Sequence, residues 1–244
     1  LIGNFLKNIK KEFKNHQFTG LSFNSEDCKK DYIFFAIKGT KLDGSKFIDH
    51  AIKKGATVII SEQKFEGIKN KVLFLRSKNI RKVLSELSYK IKKNIPKNLI
   101  AVTGTNGKSS IADFYFQLLN LSNKKVASIG TLGIRTKNNL KKISNTTLDP
   151  IGLSKILNKL KKQKIDNVIM EASSHGLKQN RLDGLKFNTA IFTNLTHDHL
   201  DYHKTFIDYL TSKLYLFEKL LKPRGTIITD SKIPEYKNLK KISL

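Results

Sequence analysis

Short apolar runs alternate with stretches of helical periodicity along most of the chain. In its first part, Tyr32 to Ile37, Thr57 to Ile60 and Val72 to Leu75 read as strands, with helices near Lys46 to Lys54 and from Ile80 to Lys93. Asn94-Ile95-Pro96-Lys97 interrupts the pattern. Proline biases the residue before it away from helix, so a boundary is expected between residues 1–95 and 96–244. Beyond it, strands are predicted over 99–102, 126–129, 167–171, 189–193 and 226–229, and helices over 109–121, 151–164 and 204–221. Such alternation predicts the α/β class: a small N-terminal α/β domain, then a parallel sheet covered by helices, with ligands at the carboxyl ends of its strands. The chain starts at Leu1 rather than Met and stops shortly after a predicted strand, so a fragment is expected.

Composition adds class boundaries. No apolar run approaches the roughly 20 residues needed to cross a bilayer, and no signal segment opens the chain, so a cytoplasmic protein without membrane contact is expected. The single cysteine, Cys28, excludes an internal disulfide and a multi-cysteine zinc site, and reads as a half-buried thiol. A net charge of +26 raises nucleic acid as a partner. The pattern argues against it: the charge is almost all lysine, scattered over every predicted helix rather than gathered in one aromatic-laced stripe.

Candidate chemistry starts at Gly104-Thr105-Asn106-Gly107-Lys108-Ser109-Ser110, between a predicted strand and a predicted helix. Consecutive backbone N–H groups at a helix start point at an anion, Lys108 adds charge, and Ser109 can ligate Mg²⁺, so ATP is the expected ligand. Val102 stands where the general phosphate-loop pattern has its first glycine, which leaves open a plain strand-to-helix turn with an incidental lysine. Glu171 ends a predicted buried strand, where a carboxylate faces the phosphate crevice and suits Mg²⁺. Three His and two Asp lie within His197-Asp198-His199-Leu200-Asp201-Tyr202-His203. With no H-E-x-x-H pattern and no cysteine in support, Mg²⁺ is expected there rather than zinc. Ser144-Asn145-Thr146-Thr147, ahead of a helix, reads on its own as cap and turn chemistry.

The ordered set Gly104-Thr105-Asn106-Gly107-Lys108-Ser109, Asn145-Thr146-Thr147, Glu171-Ala172-Ser173-Ser174-His175-Gly176-Leu177 and Asp198-His199-Leu200-Asp201-Tyr202-His203 resembles the Mur ligase family, in its MurE or tripeptide-synthetase type. Ile33 to Gly39 and Asp43-Gly44 resemble the family's UDP-sugar-binding module, so the resemblance spans nearly the whole chain. It implies an N-terminal UDP-sugar-binding domain over 1–95 and a partial P-loop-type ATPase domain over 96–244, with the C-terminal amino-acid-binding domain absent. It further implies a monomeric, ATP- and Mg²⁺-dependent amide ligase of peptidoglycan synthesis. Its substrates would be UDP-N-acetylmuramoyl-L-alanyl-D-glutamate and an amino acid, diaminopimelate or lysine, joined through an acyl phosphate; the truncated chain is not expected to turn over alone.

Carried over position by position, the resemblance puts residues 104–110 on the ATP phosphates, and Ser109, Glu171 and His199 on Mg²⁺. Lys213 matches a lysine that the family carbamylates to make a further metal ligand; on its chemistry alone it reads as one solvated lysine among many. Asn145, Thr146, Thr147, Ser173, Gln179 and Arg181 match positions that hold the muramoyl-dipeptide, and Ser25, Thr40, Lys41 and Leu42 match the uridine end. Asn24 and Glu26 replace the family's Asp and Arg beside Ser25, His197 stands for Arg or Pro, and Leu148 is inserted before Asp149-Pro150. Another Mur ligase, a folylpolyglutamate-synthase-like ligase, or a non-catalytic nucleotide or nucleic-acid binder are the competing expectations.

Overall fold

The structure is a computed structural model and describes residues 1–6, 9–39, 42–92, 94–143 and 145–243. The chain divides into two compact units, Leu1–Ile91 and Lys92–Leu244, a few residues before the predicted break. Among the described residues no helix is long and apolar enough to cross a membrane.

The first unit holds β1 (Gly20–Ser22), β2 (Tyr32–Phe35), α1 (Ile48–Lys53), β3 (Ala56–Ser61), β4 (Gly67–Lys69), β5 (Val72–Arg76) and α2 (Ile80–Ile91). Its sheet runs β1-β2-β3-β5-β4, parallel except for β4. Residues 33–35 of β2 and 58–60 of β3 are unbroken apolar runs because these strands are buried on both faces, as central parallel strands are. Cys28 packs in this core with Phe34, Ile48 and Ile59, more deeply than the half-buried position its sequence suggested. Burial pushes its thiol pKa up to about 11, so it is an inert core residue.

The second unit holds β6 (Asn98–Thr103), α3 (Lys108–Leu121), β7 (Val126–Gly130), β8 (Gly133–Thr136), β9 (Asn139–Lys141), α4 (Pro150–Lys162), β10 (Asn167–Glu171), α5 (Ser174–Lys178), β11 (Phe187–Phe192), α6 (Leu200–His203), α7 (Phe206–Tyr215), β12 (Leu221–Ile228) and α8 (Tyr236–Ser243). Seven strands lie in the order β12-β11-β6-β10-β7-β8-β9. The first five are mutually parallel, and β8 and β9 extend the edge as an antiparallel ribbon. From central β6 the chain first builds outward on one side, to β7 and β10, and then crosses to β11 on the other. This reversal opens a crevice at the carboxyl end of β6, where doubly wound sheets bind ligands.

The structure departs from the sequence reading at several elements, β1, β4 and α5 among them, which the pattern did not predict. Over the range predicted as one helix, 204–221, the structure has α7 and a π-helical turn, Leu216–Leu220, and the separate short α6 ends at His203 before it. Lys204 takes a left-handed φ of 61°, and the Thr205 side chain then caps α7 by accepting the Asp208 N–H at 3.1 Å. The β8–β9 ribbon had no apolar alternation to announce it, and α8 follows β12 where no further element was expected.

Candidate active site

The loop after β6 turns on Gly104 and enters α3 through Gly107, at φ 144° and 83°. Only glycine fits position 104, because a Cβ there would stand 1.8 Å from Thr193 Oγ1. Segments after β11 hold the loop open: Asn194 Oδ1 accepts the Asn106 N–H at 3.0 Å, and Thr193 Oγ1 donates to the Asn106 carbonyl at 2.6 Å. The free backbone N–H groups of the first turn of α3 therefore face the crevice with the positive end of the helix behind them.

A cavity of about 280 Å³ lies over this loop. Residues 104–110 line it, together with Thr131, Thr146, Glu171, Ser173, Ser174, His199, Tyr209 and Lys213. Lys108, Glu171, His199 and Lys213, predicted from four separate segments, thus share one space.

Glu171 ends β10 beside Val102 of β6 and is 2% exposed. Its carboxylate accepts the Thr131 N–H at 2.9 Å on Oε1 and the Thr131 hydroxyl at 3.1 Å on Oε2. No ion pair to Glu171 is found among the described residues. A carboxylate has about four lone-pair sites, so two hydrogen bonds leave it able to take a cation from the cavity. Among the described residues no group of three or more His, Cys, Asp or Glu is placed to hold a metal by itself. The cavity offers one carboxylate, one imidazole and several hydroxyls, Ser109 among them, a mainly oxygen set that fits an ion such as Mg²⁺ that completes its shell with phosphate and water.

Lys213 is 1% exposed on α7, so its reading as a solvated lysine is corrected. Its Nζ donates to the Gly104 carbonyl at 2.7 Å and lies 4.4 Å from the centre of the Tyr209 ring. Burial, reinforced by the charge of Lys108 and opposed by Asp198, pushes its pKa down to about 7. The Lys108 pKa is also lowered, chiefly by burial, with Glu171 and Asp198 acting in the opposite direction. His199, on a left-handed φ of 53°, packs edge-on against His175 at 4.8 Å, with its Nε2 3.4 Å from Asp198. Burial lowers the His175 pKa, with His199 adding to the effect.

The remaining candidates are placed less uniformly. Thr146 and Ser173 line the cavity, whereas Asn145, Gln179 and Arg181 do not. Thr147 is buried, and its hydroxyl is spent inside the fold on the Glu171 carbonyl, the Ser173 hydroxyl and the Ser173 N–H, each at 3.0 Å. Arg181 donates through Nε and Nη2 to Gln179 Oε1, at 3.2 and 2.8 Å, and through Nη1 to the Thr147 carbonyl. Gln179 in turn donates to the Tyr202 hydroxyl at 3.1 Å. In the first unit, buried Ser25 has its Oγ 3.0 Å from His50 Nδ1, and Leu42 is exposed. Thr40 and Lys41 lie outside the described residues. Sequence reasoning missed Thr131 and Tyr209. Tyr209 was within reach of it, four residues before Lys213 and so on the same helix face.

Residues 102–243 match the Mur ligase middle domain, and residues 17–96 match the catalytic domain of the Mur ligase family. The chain belongs to the Mur ligase family. Among its Mur ligase relatives, the UDP-N-acetylmuramoyl-L-alanyl-D-glutamate--2,6-diaminopimelate ligase of Rickettsia conorii is 43% identical over 237 residues, covering 96% of this chain and 49% of the relative. A solved structure of a ligase with that same name superposes with a TM-score of 0.82 at 30% identity, over 97% of this chain and 48% of the other. The MurF ligase of Thermotoga maritima in complex with ADP shares the fold, with a TM-score of 0.60 at 20% identity over 96% of this chain and 50% of that one. The chain spans about half the length of the curated relatives it matches.

Proposed function

We propose that this chain carries the nucleotide and UDP-sugar-peptide sites of an ATP-dependent amide ligase of peptidoglycan precursor synthesis. The reaction is addition of meso-2,6-diaminopimelate, as third amino acid, to UDP-N-acetylmuramoyl-L-alanyl-D-glutamate. One observation supports it above the others: the phosphate loop, Glu171, His199 and Lys213 line a single cavity at the switch point of the sheet. The R. conorii relative carries that activity in its name.

In this reading ATP passes its γ-phosphoryl group to a substrate carboxylate, leaving ADP, and the incoming amine attacks the resulting acyl phosphate, expelling phosphate and losing a proton as the amide forms. The loop N–H groups and Lys108 hold the phosphates and offset the charge that develops on transfer. Ser109, Glu171 and His199 hold Mg²⁺. Lys213 joins them as a carbamate: an amine titrating near 7 is substantially unprotonated at neutral pH. Its nitrogen can bond the carbon of CO₂ and release a proton, gaining a carboxylate head. The positive charge of the Arg181 guanidinium, held in place by Gln179, attracts a carboxylate of the muramoyl-dipeptide. Thr146 and Ser173, which line the cavity, contact the same substrate. In the first unit, Ser25, Thr40, Lys41 and Leu42 hold the uridine end.

Ligand-induced stabilisation tests the reading on the chain as it stands. MgATP and UDP-N-acetylmuramoyl-L-alanyl-D-glutamate should each raise its melting temperature by several degrees at about 100 times Kd. A chain that responds to neither, or that responds instead to DNA or RNA in a salt-sensitive way, is not this ligase.

A further inference from the structure

Tyr209 is buried beneath the phosphate loop, 1% exposed, with contacts at each part of its side chain. Its hydroxyl lies 3.1 Å from Thr105 Oγ1. That Oγ1 already accepts the Thr196 N–H at 3.0 Å and is placed to donate to the Thr196 carbonyl at 3.3 Å. The arrangement leaves a lone pair on Thr105 for the Tyr209 proton, so Tyr209 is the donor. The ring face carries the Lys213 amine at 4.4 Å. His203 and His199 stand against the ring at 5.1 and 6.3 Å.

We propose that Tyr209 is a positioning residue that couples the phosphate loop to Lys213, its hydroxyl fixing Thr105 and its ring face holding the Lys213 amine against the cavity. The inference rests on the reading of that cavity as the nucleotide site. Lysine has a flexible four-carbon stem, and an amine delivered by it needs a second contact to hold one direction. The Gly104 carbonyl gives one point of attachment and the π face of Tyr209 gives the other. Because the same side chain also grips the loop, a shift of the loop on phosphate binding moves the support of Lys213 with it.

Two substitutions separate the two halves of this role. Tyr209→Phe keeps the ring and removes the tie to Thr105. MgATP affinity is expected to fall roughly three- to tenfold, the worth of one hydrogen bond, while Lys213 stays as protected from reductive methylation, mapped by mass spectrometry, as in the parent. Tyr209→Leu removes both, so affinity falls and Lys213 is methylated about tenfold faster or more. Thr105→Val and Tyr209→Phe combine less than additively on MgATP affinity, because both delete the same bond. A residue that merely filled space would not split affinity from protection in this way. Tyr209→Phe with parental MgATP affinity, or a folded Tyr209→Leu with Lys213 still protected, overturns the inference. If Tyr209→Leu does not fold, the cycle decides, and full additivity overturns it. A parent chain that binds no MgATP overturns the nucleotide reading and this inference with it; a binding parent matched by its variants overturns this inference alone.

Discussion

The amines of Lys108 and Lys213 both donate to the carbonyl oxygen of Gly104, at 3.0 and 2.7 Å. Two cations sharing one acceptor in a largely buried space disfavour each other's charge, and Lys108 follows burial as a cause of the lowered Lys213 pKa. Lys108→Met should therefore raise the pKa of Lys213 above 7 without restoring 10.5, since burial remains. Titrating the lysine side chain by NMR, with Lys213 assigned by substitution, measures this. An unmoved value would remove Lys108 as a cause.

The same buried amine makes stability depend on pH. The folded pKa of Lys213, about 7, lies below its ordinary value of 10.5, so between the two the unfolded chain binds the proton and the folded chain does not. Stability from this group therefore rises with pH across that window, and the penalty is fully present below about 7. In urea unfolding, the parent relative to Lys213→Met should gain roughly 2 kcal/mol between pH 7 and 9, at about 1.4 kcal/mol per unit. A difference that stays flat across this range would show that Lys213 is not held neutral.

Gly130 ends β7 directly beneath Glu171, and a Cβ there would meet Glu171 Oε1 at 2.1 Å. Gly130→Ala should push the carboxylate out of its seat on Thr131 and weaken whatever cation it holds. The expected result is a loss of roughly tenfold in nucleotide affinity measured with Mg²⁺ and little change measured in EDTA. Equal losses in both conditions would mean that the loop, rather than the carboxylate, had moved.

How far the sequence announced this site depends on whether the signal was local. The phosphate loop is one contiguous run, and its glycines and flanking strand and helix could be read directly; so could Glu171 at the end of an apolar strand. Lys213 could not, because burial of one lysine among many is decided by how α7 packs on the loop. The β8–β9 ribbon was missed for a related reason. Arg135 to Lys142 is mostly polar, and Asn139–Lys141 is exposed throughout, so no inside-outside alternation marks it. Thr147, expected at the ligand, has its hydroxyl bonded within the fold to the Glu171 carbonyl and the Ser173 amide, a tie that no local sequence signal announces.

Arg181 offers a test that separates the two proposed substrates. Its guanidinium is oriented by paired hydrogen bonds to Gln179 Oε1, and Gln179 is itself anchored by the Tyr202 hydroxyl. Arg181→Lys keeps a positive charge but loses the planar group that Gln179 and Thr147 hold in one orientation, so the charge is no longer aimed at a carboxylate. Affinity for UDP-N-acetylmuramoyl-L-alanyl-D-glutamate should drop roughly tenfold or more by calorimetry, while MgATP affinity stays within about twofold, because Arg181 does not line the phosphate cavity. Arg181 also donates to the Thr147 carbonyl, so a variant that weakened both ligands equally would point to collapse of the 145–147 segment. In that case Arg181 would support the cavity wall, and the carboxylate of the dipeptide would have to be met elsewhere.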